Sequence, residues 1–108
     1  MILVTGSAGH LGEGLVRTLR AAGEAVVGID RKPSPFTDAV GSIADREFVR
    51  RQVSRASVVL HAAALHKPHL ATHSRQDFID TNIVGTLNLL EGSVAAGVRS
   101  FGFALARP

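Results

Sequence analysis

The chain has 108 residues, of which 45% are hydrophobic and 19% charged, with a formal net charge of +3. That leaves room for one domain around one core, and the composition is too apolar for a disordered segment. Cysteine is absent, which excludes a disulfide frame and thiolate chemistry and suits a cytoplasmic protein, and no run reaches the ~18 apolar residues of a membrane span.

The elements alternate between short apolar runs and helical stretches, the pattern of a parallel α/β sheet. Residues 2–5 read as a first strand that runs straight into glycines, with no basic leader before it, so they are a strand and not a signal peptide. Leu11, Leu15, Leu19 and Ala22 recur at helical spacing, and Gly23 stops that helix. Residues 25–30 form a second strand, apolar throughout as a strand covered on both faces should be. Pro33 and Pro35 make residues 31–38 a loop. A weak third strand is expected at 39–43, and Asp45 caps the helix that follows. That helix carries Arg46, Arg50, Arg51 and Arg55 among Phe48, Val49, Gln52, Val53 and Ala56, which predicts a solvated basic face. No Trp or Tyr accompanies those cations, so the face lacks the stacking set of a nucleic-acid binder. Residues 57–62 are a fourth strand. The longest helix is expected over 75–96, opened by a capping box at Ser74 and Asp77 and closed by Gly97, with Ile79, Ile83, Leu87, Leu90 and Val94 as its inner face. Residues 99–106 form a fifth strand with Phe101, Phe103 and Leu105 on one side. The expected architecture is a Rossmann-type, doubly wound α/β parallel sheet of strand order 3-2-1-4-5.

The chemistry is concentrated in Thr5-Gly6-Ser7-Ala8-Gly9-His10-Leu11-Gly12. Gly6 permits a tight turn after the strand, Gly9 lets backbone approach a pyrophosphate, and Gly12 lets the helix sit close on the strand. An anion placed there meets the free N–H groups and the positive end of the first helix. A glycine motif gains specificity when it joins a strand to a helix and an acid follows about 20 residues on, and Asp30 supplies that acid. No Gly-Lys-Ser/Thr is present, which excludes a Walker-type loop. Asp30 can accept both ribose hydroxyls and repels a 2′-phosphate, so NAD is favoured over NADP, although Arg31 and Lys32 could pair with such a phosphate. His61, His66, His69 and His73 have no Cys or Glu beside them, and no metal site is assigned.

Three segments together resemble the N-terminal part of the extended short-chain dehydrogenases/reductases, the NAD-dependent epimerase/dehydratase family that acts largely on nucleotide sugars. They are the glycine loop at 6–12, Val58-Val59-Leu60-His61-Ala62-Ala63-Ala64 on the fourth strand, and Phe78-Ile79-Asp80-Thr81-Asn82-Ile83-Val84-Gly85-Thr86. The last is similar to the helix motif of dTDP-glucose 4,6-dehydratases. The resemblance implies a cofactor site of Gly6, Ala8, Gly9, His10, Leu11 and Gly12, with His10 and Leu11 at the pyrophosphate. It places Asp30 and Arg31 at the adenosine ribose, Ala62, Ala63, Ala64 and Leu65 along the cofactor, and Thr81 against it from the helix. The chain departs from the pattern at Ser42-Ile43, where an acid usually precedes the aliphatic residue at adenine; Ser42 is a weaker partner there. Asn82 is open between a cofactor contact and a hydrogen bond to neighbouring backbone.

The resemblance also implies catalysis by a Ser or Thr after strand five and a Tyr-x-x-x-Lys, of which Tyr is the general acid/base. This chain has no Tyr and reads Ala104-Leu105-Ala106-Arg107-Pro108 where the serine run belongs. No catalytic residue is assigned. The expectation is one incomplete NAD(P)-binding domain over residues 1–108, without turnover by itself, or else a non-catalytic module that senses cofactor or docks on a subunit. The expected partners are the dinucleotide and, through the edge of strand five, a second copy of the chain. Neither nucleic acid nor membrane is expected.

Overall fold

The computed structural model describes residues 1–63 and 73–103. Five parallel strands, β1 (Ile2–Thr5), β2 (Val26–Asp30), β3 (Ala39–Val40), β4 (Val58–His61) and β5 (Ser100–Phe103), lie in the order β3-β2-β1-β4-β5. The register aligns Thr5 with both Ile29 and His61, and His61 with Phe103, so the carboxyl ends of β2, β1, β4 and β5 form one rim. The expected third strand is real but only two residues long, pairing Ile29 with Ala39 and Asp30 with Val40.

Helix α1 (His10–Ala21) follows the glycine loop, and α2 (Arg46–Val53) lies between β3 and β4. Asp45 caps α2 through its side chain, which accepts from the Phe48 amide at 3.2 Å. Leu3 and Val4, neighbours on β1, project to opposite faces by the period of the strand, and both are fully buried. Leu3 joins a core of Ile29, Ile43, Phe48, Val49, Val53, Val59 and Leu89. The basic residues stay outside: Arg50, Arg51 and Arg55 are exposed, and Arg46 reaches Glu91 at 3.9 Å.

The long helix differs from expectation in two ways. It opens at α3 (Arg75–Phe78) with the expected capping box at Ser74 and Asp77, widens into a π-helical stretch over Ile79–Gly85, and resumes as α4 (Thr86–Ala96). Its inner face is also not the large apolar stripe. Ile79, Ile83, Leu87, Leu90 and Val94 are all exposed, Val94 by 83%. The buried positions are Thr81, Gly85, Leu89, Gly92 and Ser93. Close approach explains the inversion. A Cβ at Gly92 would touch Val53 at 3.2 Å and Val49 at 3.5 Å, and one at Gly85 would collide with the Ile43 side chain. Small residues let this helix seat directly on α2 and the β3 exit, so the larger aliphatics are left on the far side. Gly97, at φ +71, ends α4 in the left-handed conformation.

Among the described residues, no helix is long and apolar enough to cross a membrane.

Candidate cofactor site

Thr5 ends β1, and Gly6 turns the chain at φ +74, a conformation that side chains rarely adopt. The turn is pinned by Ser7 N–H donating to the Ile29 carbonyl at 3.1 Å and Gly9 N–H donating to the Gly6 carbonyl at 3.0 Å. Gly9 is the residue before α1, and no side chain caps that helix. The first-turn amides therefore lack an intrahelical partner, and the positive end of the helix dipole faces the turn. Gly12 is buried, and a Cβ there would overlap the Gly6 carbonyl. This contact fixes the distance between helix and turn.

Asp30 stands where β2 leaves the sheet. One carboxylate oxygen accepts from the Ala8 amide at 3.0 Å and the other from the Lys32 amide at 2.8 Å. The carboxylate thus ties the glycine loop to the β2 exit. The loop below is held as firmly: Ser7 Oγ meets Thr37 Oγ1 at 2.8 Å, which meets Ser34 Oγ at 2.7 Å. Asp38 accepts from the Gly28 amide and from Arg20, each at 2.8 Å. Nothing in the spacing of these hydroxyls along the chain announced that they would meet.

These elements surround a cleft of about 770 Å³. Of the residues expected at a cofactor, Gly6, Ala8, Gly9, Asp30, Arg31, Ile43, Ala62, Ala63 and Thr81 line it together. His10, Leu11, Gly12 and Ser42 are not among its lining. His10 is exposed at the start of α1, and Gly12 acts behind the turn. Ser42 Oγ accepts from the Ala44 amide at 3.1 Å. Ala64 and Leu65 lie outside the described residues, as do His66 and His69. Lys32, weighed above only as a partner for a 2′-phosphate, also lines the cleft, as do Ile29, Gly41, His73 and Asp77, which were not anticipated. His73 and Asp77 arrive only because the opening of α3 is folded over the cleft.

The floor of the cleft is built around His61, which is 1% exposed. Its Nδ1 lies 2.7 Å from Thr5 Oγ1 and its Nε2 3.0 Å from Thr86 Oγ1. Thr5 Oγ1 also accepts from the Ala62 and Ala63 amides at 2.9 and 3.1 Å. Phe101 and Phe103 pack against the ring, with centroids at 6.2 and 5.7 Å. Burial pushes the imidazole down to about 4, so it is neutral at physiological pH. With both ring nitrogens engaged by threonines, His61 is not available as a metal ligand.

The residues present fit a dinucleotide. The turn is close at Gly9, where a Cβ would stand a tight 3.3 Å from the Gly6 carbonyl oxygen. The lining combines apolar walls with a few fixed polar groups. A parallel 3-2-1-4-5 sheet, with a glycine loop and an acid meeting at the carboxyl ends of its strands, defines a Rossmann-type nucleotide-binding domain.

Comparison with known proteins narrows the class. The chain belongs to the NAD dependent epimerase/dehydratase family, whose model matches residues 2–106. It is 36% identical over 105 residues to sterol demethylase protein B of Methylococcus capsulatus, covering 90% of this chain and 31% of that protein. It is 32% identical over 119 residues to the UDP-glucose 4-epimerase of Erwinia amylovora, covering 94% and 35%. Among solved structures, a short-chain dehydrogenase/reductase superfamily protein from Agrobacterium tumefaciens with bound NAD superposes with a TM-score of 0.85 at 39% identity, over 98% of this chain and 32% of the other. The chain spans about a third of the length of the relatives it matches.

Proposed function

We propose that this chain is the NAD-binding portion of an oxidoreductase of the family acting on a nucleotide sugar or similar substrate, and that the cleft is its dinucleotide site. The observation that carries the reading is Asp30, whose carboxylate is held at the cleft by the Ala8 and Lys32 amides. A carboxylate there accepts both hydroxyls of an adenosine ribose and repels a 2′-phosphate, which favours NAD over NADP. Gly6, Ala8, Gly9, His10, Leu11 and Gly12 would receive the pyrophosphate on backbone amides and the positive end of α1. Arg31 would lie at the ribose, Ser42 and Ile43 at adenine, and Ala62, Ala63 and Thr81 along the rest, continued by Ala64 and Leu65.

NAD, when bound, supplies a hydride acceptor; the residues of this chain bind it and orient it. Oxidation of an alcohol also needs a group of suitable pKa within ~3 Å of the reacting oxygen. These 108 residues contain no Tyr, and the one buried imidazole among the described residues is committed to Thr5 and Thr86. Binding without turnover is therefore expected of this stretch alone, as it would be of a cofactor-sensing or subunit-docking module. The lack of cysteine fits a cytoplasmic setting. β5 is the edge strand of the sheet among the described residues, and with Phe103 55% exposed it is a route to self-association.

Calorimetric titration of the 108-residue chain with NAD, NADP and ADP-ribose tests the reading. NAD and ADP-ribose should bind and NADP more weakly, with the preference reduced in Asp30→Asn. Tighter binding of NADP overturns the role given to Asp30, and binding of none of the three overturns the site.

A further inference from the structure

The hydrogen bonds around Thr5 contain an arithmetic that assigns a state to His61. A threonine hydroxyl has one hydrogen to donate and two lone pairs with which to accept. Both lone pairs of Thr5 Oγ1 are taken by backbone donors, the Ala62 amide at 2.9 Å, which is shared with the Thr5 carbonyl at 3.3 Å, and the Ala63 amide at 3.1 Å. The contact to His61 Nδ1, at 2.7 Å, must then be the one in which the hydroxyl donates. Nδ1 therefore carries a lone pair and no proton. In a neutral ring the proton sits on Nε2, which donates to Thr86 Oγ1 at 3.0 Å. The burial that holds this imidazole near 4 favours the same uncharged ring.

The peptide gripped by this arrangement is part of the site. The Ala62–Ala63 peptide lies directly under Gly6: a Cβ on that glycine would stand 2.7 Å from the Ala62 carbonyl oxygen and 2.8 Å from the Ala63 nitrogen. Gly6, Ala62 and Ala63 all line the cleft. Thr5 and Gly6 on one strand end, and Ala62 and Ala63 on the other, are therefore locked as a pair.

We propose that His61 is a positioning residue: as the Nε2–H tautomer it accepts the Thr5 hydroxyl proton, turns both Thr5 lone pairs onto the Ala62 and Ala63 amides, and so fixes the peptide that floors the cleft. A ring protonated at Nδ1 would present a donor to the Thr5 oxygen, which has no lone pair left to receive it, and one of the two amides would be released. The His61 ring itself touches Thr5 from β1, Thr86 from α4, and Phe101 and Phe103 from β5, none of them charged. The geometry of the floor is thus set by a tautomer choice made in an apolar pocket. The effect on cofactor affinity rests on the dinucleotide reading given above; the tautomer and the amide contacts do not.

Nitrogen-15 NMR of the histidine-labelled chain at pH 7 tests the inference without any ligand. The expected His61 pattern is an unprotonated Nδ1 and a protonated Nε2, with slow hydrogen exchange at the Ala62 and Ala63 amides. An Nδ1–H tautomer, or an imidazolium, overturns the proposal. Two variants then separate positioning from mere packing. His61→Asn keeps an acceptor at the place of Nδ1 and should retain slow exchange at Ala63; His61→Leu lacks it and should speed Ala63 exchange, with Ala62 still held by the Thr5 carbonyl, and weaken NAD by about tenfold, the scale set by one unsatisfied buried polar group. Equal exchange in the two variants overturns the proposal. If the wild-type chain binds no NAD, the dinucleotide reading fails while the tautomer and exchange results still decide this one. Should the Leu variant not fold, Thr5→Val and Thr5→Ser make the same comparison: Ser should preserve the slow Ala63 amide and Val release it, and the reverse order overturns the assignment.

Discussion

Two glycines two residues apart in α1 should respond to the same substitution with opposite signs. A Cβ added at Gly12 would stand 2.5 Å from the Gly6 carbonyl carbon and nearer still to its oxygen, whereas one at Gly14 would meet nothing within 4 Å. To restore an ordinary carbon contact of ~3.5–4 Å, the start of α1 must retreat by about an ångström in Gly12→Ala. Forcing extra volume into a packed contact typically costs ~1–3 kcal/mol, and here the obstacle is backbone, which yields less than a side chain. Gly14→Ala removes only the entropic penalty of glycine in a helix and should gain about 1 kcal/mol. At ~4–8 °C per kcal/mol for a domain of this size, the two variants should melt more than ~8 °C apart. The Gly12 change also draws the amide end of α1 away from the turn, so NAD should bind at least about tenfold more weakly if it costs one or two aligned hydrogen bonds. Thermal melts by circular dichroism and calorimetric titration with NAD measure both effects. A Gly12→Ala chain as stable as the wild type would refute the packing argument. Undiminished NAD affinity would refute the placement of the pyrophosphate.

The buried His61 makes stability depend on acid. Its folded value of about 4 lies below the ordinary 6.5, so the unfolded chain takes up the proton first. The neutral ring's contribution is fully present above pH 6.5 and is lost as pH falls from there towards 4, the loss reaching about 3 kcal/mol once both states are protonated. Denaturant midpoints between pH 7 and pH 4 should fall more steeply for the wild type than for His61→Asn, and parallel slopes would contradict the assignment. Asp45→Ala removes the cap on α2 and should cost about 1 kcal/mol in chemical denaturation. Ile83→Lys and Leu87→Lys, on the exposed stripe, should change stability in chemical denaturation by less than ~0.5 kcal/mol. Leu89→Ala, beside them but fully buried, should cost ~2–5 kcal/mol.

Local chemistry determined much of this protein from its sequence alone. The strands were readable because apolar runs between turn residues have few alternatives, and the helix ends because Asp45, Ser74 and Gly97 carry their meaning in their own side chains or dihedral freedom. The glycine loop and Asp30 were readable for the same reason: a strand, a tight turn and a helix in succession leave little choice of path. What the chain could not disclose is what depends on distance between segments. The inner face of the long helix was misjudged because periodicity assumes that large apolar residues face inward. Where Ile43, Val49 and Val53 approach closely, Gly85 and Gly92 face inward beside Leu89, so size as well as hydropathy selects the buried side. The π-helical stretch at Ile79–Gly85, the cover that His73 and Asp77 lend the cleft, and the hydroxyl chain from Ser7 to Thr37 and Ser34 have no local signature. The same holds for His61. Its place on a strand was visible, but its proton is assigned by Thr5 and Thr86, which are 56 and 25 residues away in the chain and reach it only when β1, β4 and α4 close around it.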